Sequence, residues 1–207
     1  MIMSRIIFSA FIVLFFQAQH MNAQIKLLVG GGANFSNISI RNVDFVKPNS
    51  ATNYFLSARP ELGLTNNLNI GLDVQFSRKG YNFDIQDSQD IAGYRFQYLD
   101  LLPQVQYKII KHLAVYGGLG IAIRTSEKIK IDDVWSESVY KITNSSDFTY
   151  IAGLRIFPIN KLSFHLQYAS SLTSISNLDF VNNQGQTVEN AKILLKNLQL
   201  GIAYQIF

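Results

Sequence analysis

The stretch Leu68–Phe76, LNIGLDVQF, decides the fold. Leu68, Ile70, Leu72, Val74 and Phe76 fall on one side of it; Asn69, Gly71, Asp73 and Gln75 fall on the other. A period of two belongs to an extended strand, whose successive side chains point to opposite faces. Here one face is wholly apolar, and the other is polar with a charge near its middle.

The same device recurs along the chain. Strands are predicted over Ile25–Phe35, Tyr54–Leu64, Leu68 to about Lys79, about Tyr94–Tyr107, Leu113–Arg124, about Phe148–Phe157, from Leu162, and from Leu198 to the C-terminus. Their connections alternate in length. Tight turns fall around Asn66, Lys111 and Asn160, and long loops over about Ser36–Asn53, Gly80–Gly93, Thr125–Asp147 and Thr173–Ala191. An even strand count, segments near ten residues and this sorting of loops point to a membrane-spanning barrel with short periplasmic turns. The expected fold is therefore an all-β, eight-stranded antiparallel up-and-down transmembrane barrel in a bacterial outer membrane, both termini periplasmic. Phe35, Tyr54, Phe76, Phe148 and Tyr168 then fall near the external rim, and Tyr107, Phe164 and Tyr204 near the internal one, as interfacial aromatic belts do. Tyr94, Phe96 and Tyr98 fall on the opposite face to Leu99 and Leu101. Either they point into the mouth or a bulge near Tyr98 shifts the register. Pro60 and Pro103 each remove a ladder donor, and local bulges are expected around them.

Composition agrees. Charged residues make up 15% of the chain, against roughly 25% in a soluble domain. The formal charge of +4 is mild and evenly spread, which argues against nucleic acid as a partner. With no cysteine there is no disulfide, thiolate metal site, cysteine nucleophile or lipidated N-terminal Cys. Residues 1–23 read as a cleaved signal peptide: Arg5, the apolar run Ile6–Phe16, and Asn22-Ala23 before Gln24. The run is too short for a spanning helix, which needs about 20 residues. The barrel domain is then 24–207.

Inside an eight-stranded barrel there is room for little besides side chains. The inward faces carry Arg59, Glu61, Asp73, Lys79, Asp100, Arg124, Arg155 and His165. Charges removed from bulk water must be paired or hydrated, so these residues are expected to form a polar network that plugs the lumen. The alternative is a narrow pore or a barrel that handles lipid or another small ligand. Lipid A-modifying catalysis would need a His with a Ser and an acid in reach. His165 is the one inward histidine, and no acid can be assigned to it from the sequence. A soluble lipocalin-like barrel would turn its apolar face inward, which the inward charges oppose. No metal or cofactor is implied: Asp132-Asp133 lacks the other positions of a calcium loop, and Gly30–Gly32 lacks the Lys-Ser/Thr of a phosphate-binding loop. Trp135 and Tyr140, in a mixed-charge loop, are candidates for partner contact or for packing onto the rim.

FSRKGY at Phe76–Tyr81, YLDLLPQVQYK at Tyr98–Lys108 and YGGLGIA at Tyr116–Ala122 resemble the bacteroidete outer-membrane β-barrel family that includes PorT. The resemblance spans almost the whole mature chain. It implies an outer-membrane barrel inserted by the barrel-assembly machinery, which commonly reads a terminal aromatic; Phe207 occupies that position, out of phase with Tyr204 and Ile206. It also implies no catalytic residues, and an envelope role, structural or accessory to type IX secretion. Outer-membrane lipid, a secretion-system or surface partner at the external loops and a monomeric state complete the expectation.

Overall fold

In the computed structural model, residues 25–41, 48–83, 92–131, 134–137, 144–181 and 187–207 are described. The signal segment, Asp132, Asp133 and Tyr140 lie outside them. The strands are β1 (Ile25–Ile40), β2 (Pro48–Gly63), β3 (Leu68–Phe83), β4 (Ala92–Ile110), β5 (Leu113–Ile131), β6 (Val134–Glu137), β7 (Ser146–Ile159), β8 (Leu162–Ser171), β9 (Ser176–Val181) and β10 (Thr187–Gln205). Eight of them run β1-β2-β3-β4-β5-β7-β8-β10, and β10 pairs back onto β1, so the sheet closes with no free edge. β6 and β9 are short partners of β5 and β10 in two of the long connections.

The registers fix the barrel's shape. Follow directly paired residues from Ile123 on β5 through Leu99, Phe76, Leu56, Gly31, Ile202, Phe164 and Ile156. The path returns to β5 at Leu113, a stagger of ten residues (123 − 113). With ordinary strand spacings that stagger tilts the strands by about 40° and gives a wall radius of about 8 Å. Each residue then climbs roughly 2.5 Å along the axis. On that scale the exposed rings of Phe35, Tyr54, Phe76, Phe148 and Tyr168 share a band about 7 Å deep, and those of Tyr107, Phe164 and Tyr204 lie about 15–20 Å nearer the tight turns. The two belts bracket an apolar wall of Leu72, Leu119, Leu166 and Leu200, the arrangement of a lipid-facing band between aromatic girdles.

Alternation sorts the wall as the opening strand requires. In β3, Ile70, Leu72 and Phe76 are exposed, while Asn69, Asp73, Gln75 and Ser77 are buried. Glycines make room where large inward groups lie flat against the neighbouring strand. A Cβ on Gly153 would come 2.5 Å from Cζ of Tyr116, and one on Gly201 2.6 Å from both His165 and Phe55.

Two expectations need correction, and one choice left open is decided. The strands run further than the alternation suggested: β4, β5 and β10 each have 19 residues, so much of the long connections is hairpin continuing past the lipid-facing band. Sheet hydrogen bonding persists there without an outward apolar row to announce it. Tyr94, Phe96 and Tyr98 keep the inward phase of Asp100 within one unbroken β3–β4 register, and Phe96 and Tyr98 are fully buried. The bulge is on the facing strand, where Gln97 pairs with Ser126 but Tyr98 with Arg124, leaving Thr125 extra. Pro60 and Pro103 sit at no bulge. The β2–β3 register is the same at Ala58↔Val74 and Glu61↔Gly71, and the β4–β5 register at Leu101↔Ile121 and Gln104↔Gly118. A missing donor interrupts the ladder locally without inserting a residue.

Candidate functional site

The lumen is filled from opposite walls. Glu61 on β2 takes both guanidiniums of the centre: its Oε1 lies 2.8 Å from Arg59 Nε and 2.9 Å from Arg155 Nη1. β2 and β7 are diametrically opposed in the ring of eight, so the Arg155–Glu61 pair crosses the bore. Arg155 also donates to Gln106 and stacks over Tyr116, its guanidinium carbon 4.6 Å from the ring centre. Arg59 reaches Asp73 at 3.4 Å. Asp73 in turn accepts from Gln75 (2.9 Å), Gln75 from Gln199 (3.2 Å), and Gln199 from Gln167 (2.7 Å). One connected array thus joins β2, β3, β4, β7, β8 and β10. Buried charges of both signs are held in mutual contact, the condition under which they survive away from water.

A second pair lies nearer the long hairpins. Lys79 Nζ meets Asp100 Oδ1 at 2.9 Å, Ser77 donates to Asp100 at 2.6 Å, and the Lys79 ammonium sits 4.6 Å from the Tyr98 ring centre. Above it Ile38, Tyr81, Phe96, Tyr98, Ala122, Ile175, Ile193 and Leu195 pack into an apolar cluster across the mouth. At the turn end a vestibule of about 350 Å³ opens between Lys26, Lys108, Lys111 and Lys161, with Glu61 and Gln106 at its floor.

Of the eight residues singled out from the sequence, Arg59, Glu61, Asp73 and Arg155 come together, and Lys79 with Asp100 forms a separate pair. Arg124 joins neither; at the β5 bulge it pairs with Glu127 at 3.3 Å. His165 is buried against Phe55, ring centres 5.6 Å apart, and its Nδ1 has no hydrogen-bond partner among the described residues. Among those residues no group of three His, Asp or Glu converges as a metal site. Phe207 is exposed beyond β10, its carbonyl accepting from the Leu27 amide at 3.2 Å. Trp135 is paired through β6 with Lys130 and lies under Arg95, whose guanidinium carbon is 3.9 Å from the ring. The glutamine relay is not legible in the sequence. Gln75, Gln167 and Gln199 carry the correct inward phase, but an uncharged side chain gives no hint of what it will meet across the bore.

The chain matches the outer membrane protein beta-barrel domain family over residues 8–205, nearly its whole length. It belongs to that family. The barrel just described is accordingly an integral protein of a bacterial outer membrane. Among solved structures, it is similar to Ail, the attachment invasion locus protein of Yersinia pestis, in complex with the heparin analogue sucrose octasulfate: 14% identity, TM-score 0.51, covering 88% of this chain and 99% of that one. Neisserial surface protein A is comparably similar, with 12% identity, TM-score 0.51 and coverage of 89% and 99%. At such identities the likeness is one of fold. No curated protein matches the chain by sequence.

Proposed function

We propose that the protein is a sealed, non-enzymatic component of the outer membrane, its tight turns periplasmic and its long hairpins outside, where they are available to a partner. The observation that carries this reading is the Arg155–Glu61–Arg59 bridge across the bore, with an apolar cluster above it. Ions would have to break a buried pair and then pass aromatic side chains, and neither step is cheap. Catalysis finds no support at His165, which packs on Phe55 and whose Nδ1 has no hydrogen-bond partner among the described residues. Planar-bilayer recording tests the proposal: the intact barrel should give no large stable openings, and stable openings would replace it with the narrow-pore reading.

Within that role, the resemblance of FSRKGY, YLDLLPQVQYK and YGGLGIA to the PorT-containing family admits an accessory of type IX secretion beside a purely structural part. Crosslinking in intact outer membranes should then capture secretion-system subunits. Recovery of the barrel with lipid alone would leave it a structural component.

A further inference from the structure

The outward face of the barrel changes character just past the aromatic belt. Phe76, Leu99 and Ile123 are exposed and apolar; the next outward positions on β3, β4 and β5 include Arg78, Arg95, Lys128 and Lys130. By the tilt derived above, Arg78 and Arg95 are anchored about 5 and 13 Å beyond the level of Phe76. Arg78 is thus at the depth of a leaflet's headgroups, which add roughly 5–7 Å to each side of the hydrocarbon, and Arg95 is anchored just beyond it.

Of these cations Arg95 and Lys130 line a built recess, and Arg78 lies beside Arg95. β2 carries one extra residue between Ser50 and Phe55, and there β2 parts from β3. Ser36 of β1 reaches past it to bond Gly80 of β3, accepting from its amide at 2.7 Å and donating to its carbonyl at 2.8 Å. The gap leaves a hollow of about 250 Å³ in the wall, where the outward Asn82, Arg95, Lys130 and Trp135 meet the inward Asn53 and Tyr94. Trp135 roofs it by folding back over β4, where Gly93 leaves room: a Cβ there would lie 3.2 Å from the indole and 2.8 Å from Asn82 Oδ1. Arg95 is stacked on Trp135, and Arg78 on Tyr54 with 4.8 Å to the ring centre. Among the described residues neither arginine has a carboxylate partner. Glu137 stands opposite Lys128, further from the belt. Two like charges held together, each braced by a ring, are complementary to an anion.

We propose that this recess binds the phosphorylated sugar headgroup of an outer-leaflet glycolipid, with Arg78 and Arg95 on the phosphate and Trp135 and Tyr54 against the sugar. The acyl chains then descend along Phe76 and Leu99. The assignment of leaflet rests on the hairpins facing outward; the chemistry of the site does not.

Trp135 is the chain's one tryptophan, so its emission reports on the recess alone. Full-length mature protein folded in detergent should show a saturable emission change with diphosphoryl lipid A. Arg78→Ala and Arg95→Ala should each weaken it at least about tenfold, the loss expected for a charge-assisted contact. Lys161→Ala, at the opposite end, should not. Native mass spectrometry of the same variants gives a readout independent of the indole, and heat-modifiable gel mobility shows that they fold. No saturable change, or an equal one with dephosphorylated lipid A, overturns the proposal. So does an equal response to inorganic phosphate, which marks a free-anion site, or a response to sucrose octasulfate alone, which marks a sulfated-glycan site. Topology is read separately: the chain has no cysteine, so labelling Ser174→Cys on intact cells reports which way the hairpins face.

Discussion

Glu61→Ala is the sharpest test of how the lumen is held. Glu61 is the shared anion of two buried guanidiniums, 2.8 Å from Arg59 and 2.9 Å from Arg155. At an effective dielectric of 20, each contact has a gross attraction of about 6 kcal/mol, most of it offset by the desolvation of both ions. Truncation leaves Arg155 with Gln106 and the Tyr116 ring, and Arg59 with Asp73 at 3.4 Å. Two cations then face one carboxylate in a closed bore. Breaking a buried pair from one side costs about 3–5 kcal/mol, and the loss should fall in that range. Urea titration of the protein folded in detergent, followed by tryptophan emission and by heat-modifiable mobility, measures it. The double variant Glu61→Leu/Arg155→Met removes one charge of each sign, leaves Arg59 with Asp73, and should recover most of the stability. A loss below about 1 kcal/mol for Glu61→Ala would mean that water already solvates both arginines. The bore would then be wet, and the seal argued from it would fall.

Four further outcomes follow from the same geometry. Gly201→Val should destabilise by about 1–3 kcal/mol or block folding, because its Cβ would meet His165 and Phe55 at 2.6 Å; unaltered mobility on unheated gels would contradict this. Leu119→Arg puts a charge near the middle of the lipid-facing wall, where Leu119 is 64% exposed. It should cost about 2–4 kcal/mol of folding free energy in bilayers, whereas a soluble protein would tolerate it. His165→Phe should be neutral or stabilising in urea, since it removes a buried nitrogen without a partner. The same variant should leave lipid A acylation in whole membranes unchanged. Lys79→Met should destabilise by more than Lys161→Met, because it removes the cation paired with the buried Asp100 and leaves that carboxylate on the Ser77 hydroxyl.

Much of this molecule is written locally. LNIGLDVQF states its two faces outright, and a wall only one strand thick keeps each residue's face in the tertiary structure. With lipid outside and a narrow bore inside, period-two alternation, loop lengths and inward charges were enough for the strand count and for which residues face the bore. Closure is what made those inward residues meet. Glu61 and Arg155 are 94 positions apart, and the stagger of ten residues that lays one across the other is a sum over eight registers, none of which a single strand encodes. The same holds beyond the belt. Once the outward row is no longer apolar, alternation stops marking the strand, so the hairpin extensions, the β2 bulge and the diagonal placement of Arg78 and Arg95 on adjacent strands exist only in the paired sheet.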